Sequence, residues 1–125
     1  MEYRILGKTG LKVSRLGFGG IPIQKIDAEG TKKLIGDLIN EGVNFIDTAR
    51  GYTVSEQLIG DALAELGARD KFVLATKSMA RTREAMEADM AKSFADLRTA
   101  RDLFDGRLNA VAAVGMAIVA VVYMV

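Results

Sequence analysis

Asp47, Tyr52 and Lys77 are the residues of this chain whose types and spacing suggest chemistry. Asp47 closes the apolar run Val43-Asn44-Phe45-Ile46, and Tyr52 follows five positions later in a polar loop that leads into Ser55-Glu56. Lys77 closes a second run, Phe72-Val73-Leu74-Ala75-Thr76. Side chains alternate along an extended segment, so Val43, Phe45 and Asp47 share one face of their strand, and Val73, Ala75 and Lys77 share one face of theirs. On adjacent parallel strands, a carboxylate and an ammonium then end at one rim, with a phenol on the loop between them. An ammonium beside a phenol favours the phenolate and eases proton release at neutral pH. A carboxylate paired with that ammonium keeps it charged and oriented, where neither could be buried alone without a large desolvation cost. Such a phenol can give its proton to a carbonyl oxygen as hydride reaches the carbon, or accept one during alcohol oxidation.

These side chains need a scaffold, and the sequence punctuates one clearly. Tyr3 to Leu6 and Lys12 to Ser14 flank Gly7-Lys8-Thr9-Gly10 and read as a β-hairpin. Leu16-Gly17-Phe18-Gly19 reads as a first strand of the main sheet. The following Gly19-Gly20-Ile21-Pro22 lacks the G-x-G-x-x-G spacing of a phosphate loop, so from its residues it is a tight turn. Asp27 suits the N-cap of a helix to about Glu41, with Leu34, Ile35, Leu38 and Ile39 as its apolar stripe and Gly42 just beyond its end. Gly30 and Gly36 weaken that helix by ~1 kcal/mol each relative to Ala, a loss that packing must offset. The strand from Val43 to Asp47 leads to a helix from Ser55 to about Leu66, closed by Gly67 and apolar at Leu58, Ile59, Ala62, Leu63 and Leu66. A third strand runs from Phe72 to Thr76, and Thr82 caps a third helix with Met86, Met90, Phe94 and Leu97 inward. Its methionines are core filler. Strand and helix alternate three times, which predicts an α/β fold with parallel pairing and right-handed crossovers.

Asp47, Tyr52 and the run Ser55-Glu56-x-x-Ile59-Gly60-x-Ala62-Leu63 resemble the aldo-keto reductases. Two further motifs agree in order: Tyr3-Arg4-x-Leu6-Gly7-Lys8-Thr9-Gly10-Leu11-x-Val13-Ser14-x-Leu16-Gly17-Phe18-Gly19-Gly20, similar to the family's opening, and Val73-Leu74-Ala75-Thr76-Lys77, similar to its third barrel strand. The resemblance covers about residues 2 to 97. It implies an incomplete (β/α)8 TIM barrel: the N-terminal β-hairpin, about three βα units, then an apolar C-terminal segment. It also implies NADP(H)-dependent reduction of a small aldehyde or ketone, with Tyr52 as proton donor, Lys77 as the cation that eases its release, and Asp47 as the supporting carboxylate. Gly19, Gly20, Ile21 and Asp47 are the positions it would bring to the cofactor. Alone, a strand-ending Asp is often a turn former, a loop Tyr mere surface and a terminal Lys a solvent marker. Their joint occurrence inside three ordered motifs favours the chemical reading.

The totals set limits. A chain of 125 residues can bury a core but is too short for a closed (β/α)8 barrel, which needs ~250. Seventeen basic and sixteen acidic residues leave a net charge of +1, which gives no footprint for nucleic acid. No cysteine and no histidine occur, so these residues offer no disulfide, iron–sulfur cluster or thiolate metal site, and no Ser-His-Asp or Cys-His mechanism. The resembled family's fourth active-site member, a histidine on the fourth strand, is likewise missing, and little or no activity is expected of the chain alone. The N-terminus reads as carrying no secretory leader, so residues 1–107 are expected in the cytoplasm.

Residues 1–99 form the expected reductase-like unit, 100–107 a linker, and Leu108 to Val125 an uncharged tail. Three readings of that tail stand open: a candidate membrane helix, a helix or strand pair docked on the open sheet, or unselected sequence left by a frameshift or truncation. From Ala110 a helix would span ~24 Å, short of a ~30 Å hydrocarbon core. Three parallel strands cannot close a ring, so self-association through open sheet edges is also expected. A non-catalytic, membrane-associated remnant is the alternative to the reductase.

Overall fold

Three βα units form in the expected order, and their helices lie on one side of the sheet. The structure, a computed structural model, describes residues 1–97 in full and 110–113 and 118–123 as backbone. A hairpin of β1 (Tyr3–Ile5) and β2 (Lys12–Ser14) precedes the main sheet. It is fastened to the start of the second βα unit, where the Ser14 N–H donates to Asn44 Oδ1 at 2.7 Å and the Tyr3 hydroxyl to the Gly42 carbonyl at 2.8 Å.

The main sheet starts with β3 (Phe18–Gly19), β4 (Phe45–Asp47) and β5 (Val73–Ser78), all parallel, with Gly19 beside Asp47 and Asp47 beside Ala75. Helices α1 (Ala28–Asn40), α2 (Ser55–Glu65) and α3 (Arg83–Asp96) follow the three strands in turn. The expected caps form: Asp27 accepts from the Gly30 N–H and Thr82 from the Ala85 N–H. Gly42 and Gly67 adopt positive φ, +74° and +56°, just past α1 and α2, a backbone that a side chain would strain.

The core lies between helices and sheet: Ile46 and Leu74 meet Ile35, Ile59, Leu63, Phe94 and Leu97, all buried. Phe45 and Val73, on the opposite face, are only half-buried, while Val43 and Ala75 are buried. Met90 packs against the core and Phe94 and Leu97 enter it, so the α3 stripe serves as packing.

Some boundaries differ from expectation. The first strand shrinks to two residues because Leu16, 63% exposed, has no core to enter. The third gains Lys77 and Ser78, because the loop after β4 continues the ladder: the Thr48 N–H donates to the Ala75 carbonyl and the Arg50 N–H to the Lys77 carbonyl. Within the tail, β6 (Ala110–Ala113) and β7 (Ile118–Tyr123) are antiparallel strands, and β7 pairs antiparallel with β5, giving the order β3-β4-β5-β7-β6. No helix among the described residues is long and apolar enough to cross a membrane. The linker expected at 100–107, and the tail residues 108–109, 114–117 and 124–125, lie outside the described residues.

Candidate active site

The parallel register of β4 and β5 brings both strand-end charges to one rim, as alternation requires. Lys77 Nζ donates to both Asp47 carboxylate oxygens at 3.0 Å and to the Thr48 carbonyl at 2.7 Å. The same nitrogen lies 5.1 Å from the centroid of the Tyr52 ring, within reach of a cation–π attraction. All three expected catalytic side chains therefore come together. Asp47 is 49% and Lys77 23% exposed, so the pair is open to solvent and to a reactant.

Tyr52 is set by a short hydrogen-bonded loop. Its N–H donates to the Ala49 carbonyl at 3.0 Å, and its own carbonyl accepts from the Ser55 N–H at 2.8 Å as α2 begins. Thr53 has φ +45°, a strained region for a β-branched residue, and its hydroxyl donates to Gln24 Oε1 at 3.0 Å. Strain of this kind concentrates where surrounding structure fixes a loop.

Behind the sheet lies a charged cluster that the strand pattern did not reveal. Glu56, 1% exposed, accepts from the Thr76 hydroxyl at 2.6 Å and from Arg50 Nη1, which also donates to Asp96 at 3.0 Å. Lys92 adds a second cation to Asp96. Burial, the largest single influence on the Asp96 carboxyl, pushes its pKa up, but the hydrogen bonds and charges of Lys92 and Arg50 together hold it below the ordinary value. A signal for this cluster was available: Glu56 is in helical register with Ile59, Gly60 and Leu63, which places a carboxylate on a buried stripe.

The glycine turn is shaped by packing. A Cβ on Gly20 would stand 2.9 Å from Ser55 Oγ and 3.1 Å from Thr48 Oγ1. The Ser55 hydroxyl lies 2.9 Å from the Gly20 carbonyl and 3.0 Å from the Thr48 hydroxyl. Beside Gly19 the space is open, and Ile21, 54% exposed, begins a short 3-10 turn, Ile21–Lys25. Among the described residues no group of three or more His, Cys, Asp or Glu could hold a metal ion.

A family model described as "Aldo/keto reductase family" matches residues 15–104. The chain is 35% identical over 85 residues to an aldo-keto reductase of Bacillus subtilis, YhdN, covering 62% of this chain and 26% of that protein. It is 38% identical over 87 residues to L-galactose dehydrogenase of Arabidopsis thaliana, again covering 62% of this chain and 26% of the relative. It thus spans about a quarter of the length of these curated relatives. A solved aldo-keto reductase of Bacillus halodurans, in its holo form, superposes with a TM-score of 0.68 and 29% identity, covering 79% of this chain and 37% of that one.

Proposed function

The chain belongs to the aldo/keto reductase family, and on that premise we propose that it carries the proton-transfer part of a site for NADP(H)-dependent reduction of aldehydes or ketones. The observation that supports this most directly is the single ammonium of Lys77, which holds the Asp47 carboxylate and lies against the Tyr52 ring. Tyr52 gives its proton to the substrate oxygen, Lys77 stabilises the phenolate left behind, and Asp47 fixes Lys77 in place and balances its charge. The position at the C-terminal ends of parallel strands suits this chemistry, because side chains from several strands converge there.

A reduced nicotinamide cofactor, when bound, supplies the hydride, which no side chain can provide. The residues present fit such a group in part. Asp47 is exposed and its oxygens keep lone pairs beyond those used by Lys77, and the space beside Gly19 is open. The cradle at Gly20 is filled by the Thr48 and Ser55 hydroxyls, so Asp47, Gly19 and Ile21 are better placed than Gly20 to meet a ligand.

Turnover by these 125 residues is expected to be slow, since they contain no histidine to orient the carbonyl. The competing reading, a non-catalytic remnant, draws on that same lack and on the antiparallel β7 against β5. Purified chain mixed with NADPH and a reactive aldehyde separates them. A slow loss of NADPH absorbance that Tyr52→Phe abolishes supports the reductase, and a flat trace assigns the chain to the remnant. The proposal places residues 1–107 in the cytoplasm and has copies associate through β3 or β6, the outer strands of the described sheet. Elution at the monomer volume at every concentration tested would refute that association.

A further inference from the structure

The proton-transfer chemistry makes no use of Glu56, yet this carboxylate is 1% exposed in the first turn of α2. Burying a carboxylate is costly unless its charge and lone pairs are met, so its partners must be held firmly. One oxygen accepts from the Thr76 hydroxyl at 2.6 Å and the other from Arg50 Nη1. The Arg50 backbone N–H in turn donates to the Lys77 carbonyl at 3.0 Å, and Thr76 is bonded covalently to Lys77. Lys77, Arg50, Glu56 and Thr76 therefore close a ring at the root of the loop that carries Tyr52. Thr76 and Lys77 project to opposite faces of β5, so the tether on the helix side sets the position of the ammonium on the open side.

We propose that Glu56 is a positioning residue, which holds the Tyr52 ring over the Lys77 ammonium by fixing Arg50 and Thr76 together. It touches no reacting atom itself. Residues 50 and 56 anchor both ends of a loop only a few residues long, and Tyr52 lies inside it. The inference rests on Tyr52 and Lys77 being the proton-transfer pair, because their contact is what Glu56 preserves. A misplacement of ~1 Å at such a pair can slow a reaction ~100-fold.

Proton NMR on the 125-residue chain tests the geometry without turnover. The readouts are cross-relaxation between the Lys77 methylenes and the Tyr52 ring, and the ring-current shift of those methylenes. The hairpin supplies an internal control, since Lys12 Nζ lies 5.3 Å from the centroid of the Tyr3 ring. Thr76→Val removes the hydroxyl with little change in volume and is expected to abolish the Lys77–Tyr52 signals while leaving the Lys12–Tyr3 signals intact. Thr76→Ser restores the hydroxyl and is expected to restore the Lys77–Tyr52 signals. If Thr76→Val does not fold, the double variant Arg50→Met/Glu56→Leu replaces the buried pair by apolar groups, a change that folds often tolerate, and the same selective loss is expected. Lys77–Tyr52 signals that persist in a folded variant, or a loss of both contacts in both variants, would overturn the proposal. Failure of the reductase reading would appear elsewhere, as absent turnover with these signals unchanged.

Discussion

Gly60→Ala should destabilise this protein, although Ala in a helix interior ordinarily gains ~1 kcal/mol over Gly. A Cβ at Gly60 would lie 1.9 Å from the Asp96 carbonyl oxygen and 2.9 Å from both the Asp96 carbonyl carbon and Leu97 Cα. All three are backbone atoms at the end of α3, and none can swing aside as a side chain would. Contacts between carbon atoms are optimal near ~3.5 Å, so the end of α3 must retreat by more than ~1 Å. The retreat draws Asp96 from Arg50, now 3.0 Å away, and lifts Leu97, fully buried, out of the core. Overpacking of this kind costs ~1–3 kcal/mol. Loosening a hydrogen bond between charged groups adds a further ~1.5–3 kcal/mol. Against the helix-propensity gain the net loss is about 3 kcal/mol. With an unfolding entropy of ~2.1 cal/mol/K per residue, that lowers the melting temperature by ~11 °C. Thermal melts followed by far-UV circular dichroism measure it, with Gly36→Ala as the comparison. Gly36 also lies inside a helix, but a Cβ there meets nothing within 4 Å, so Ala should stabilise by up to ~1 kcal/mol. A Gly60→Ala protein that melts at or above the parent temperature would refute the close approach of α2 and α3.

Gly20→Ala should lower the urea midpoint by the equivalent of ~1–2 kcal/mol, since its Cβ would press on two buried hydroxyls already bonded to each other. Adding Ser55→Ala should recover part of the loss, and strict additivity of the two changes would count against the contact. Asp96 has a depressed pKa in the folded chain, so the stability it contributes is fully present above its unfolded value and is lost as pH falls through the folded one. Asp96→Asn should therefore flatten the fall in unfolding free energy below about pH 4, as measured by urea titrations across that range. An acid limb as steep as the parent's would show that other carboxylates govern it.

Much of the scaffold was legible because its signals are local. Asp27 and Thr82 cap their helices through bonds to residues three positions on, and Gly42 and Gly67 end theirs through a backbone preference that needs no partner. The Asp47–Lys77 pair was legible as well, since alternation and parallel order together fix which face each side chain takes. Arg50 with Asp96 was not, because 46 positions separate them and neither belongs to a strand. Glu56 escaped for another reason: a carboxylate in the first turn of a helix is ordinarily a favourable partner for the dipole, and that habit hid its place on the buried stripe. The charge-free tail was read chiefly by its lack of polarity, which does not separate a helix from paired strands; register against β5 is a long-range property.

Water reaches the carboxylates of the two ion pairs beside β5 very unequally, and their cations about alike. Asp47 and Lys77 are 49% and 23% exposed, whereas Glu56 and Arg50 are 1% and 18% exposed. Dissolved ions screen the first pair and scarcely penetrate to the second. The charges that would perform the reaction thus answer to ionic strength, and those that hold them in position do not. A concentrated salt solution would dull the chemistry of a chain that still looked, by every measure of folding, intact.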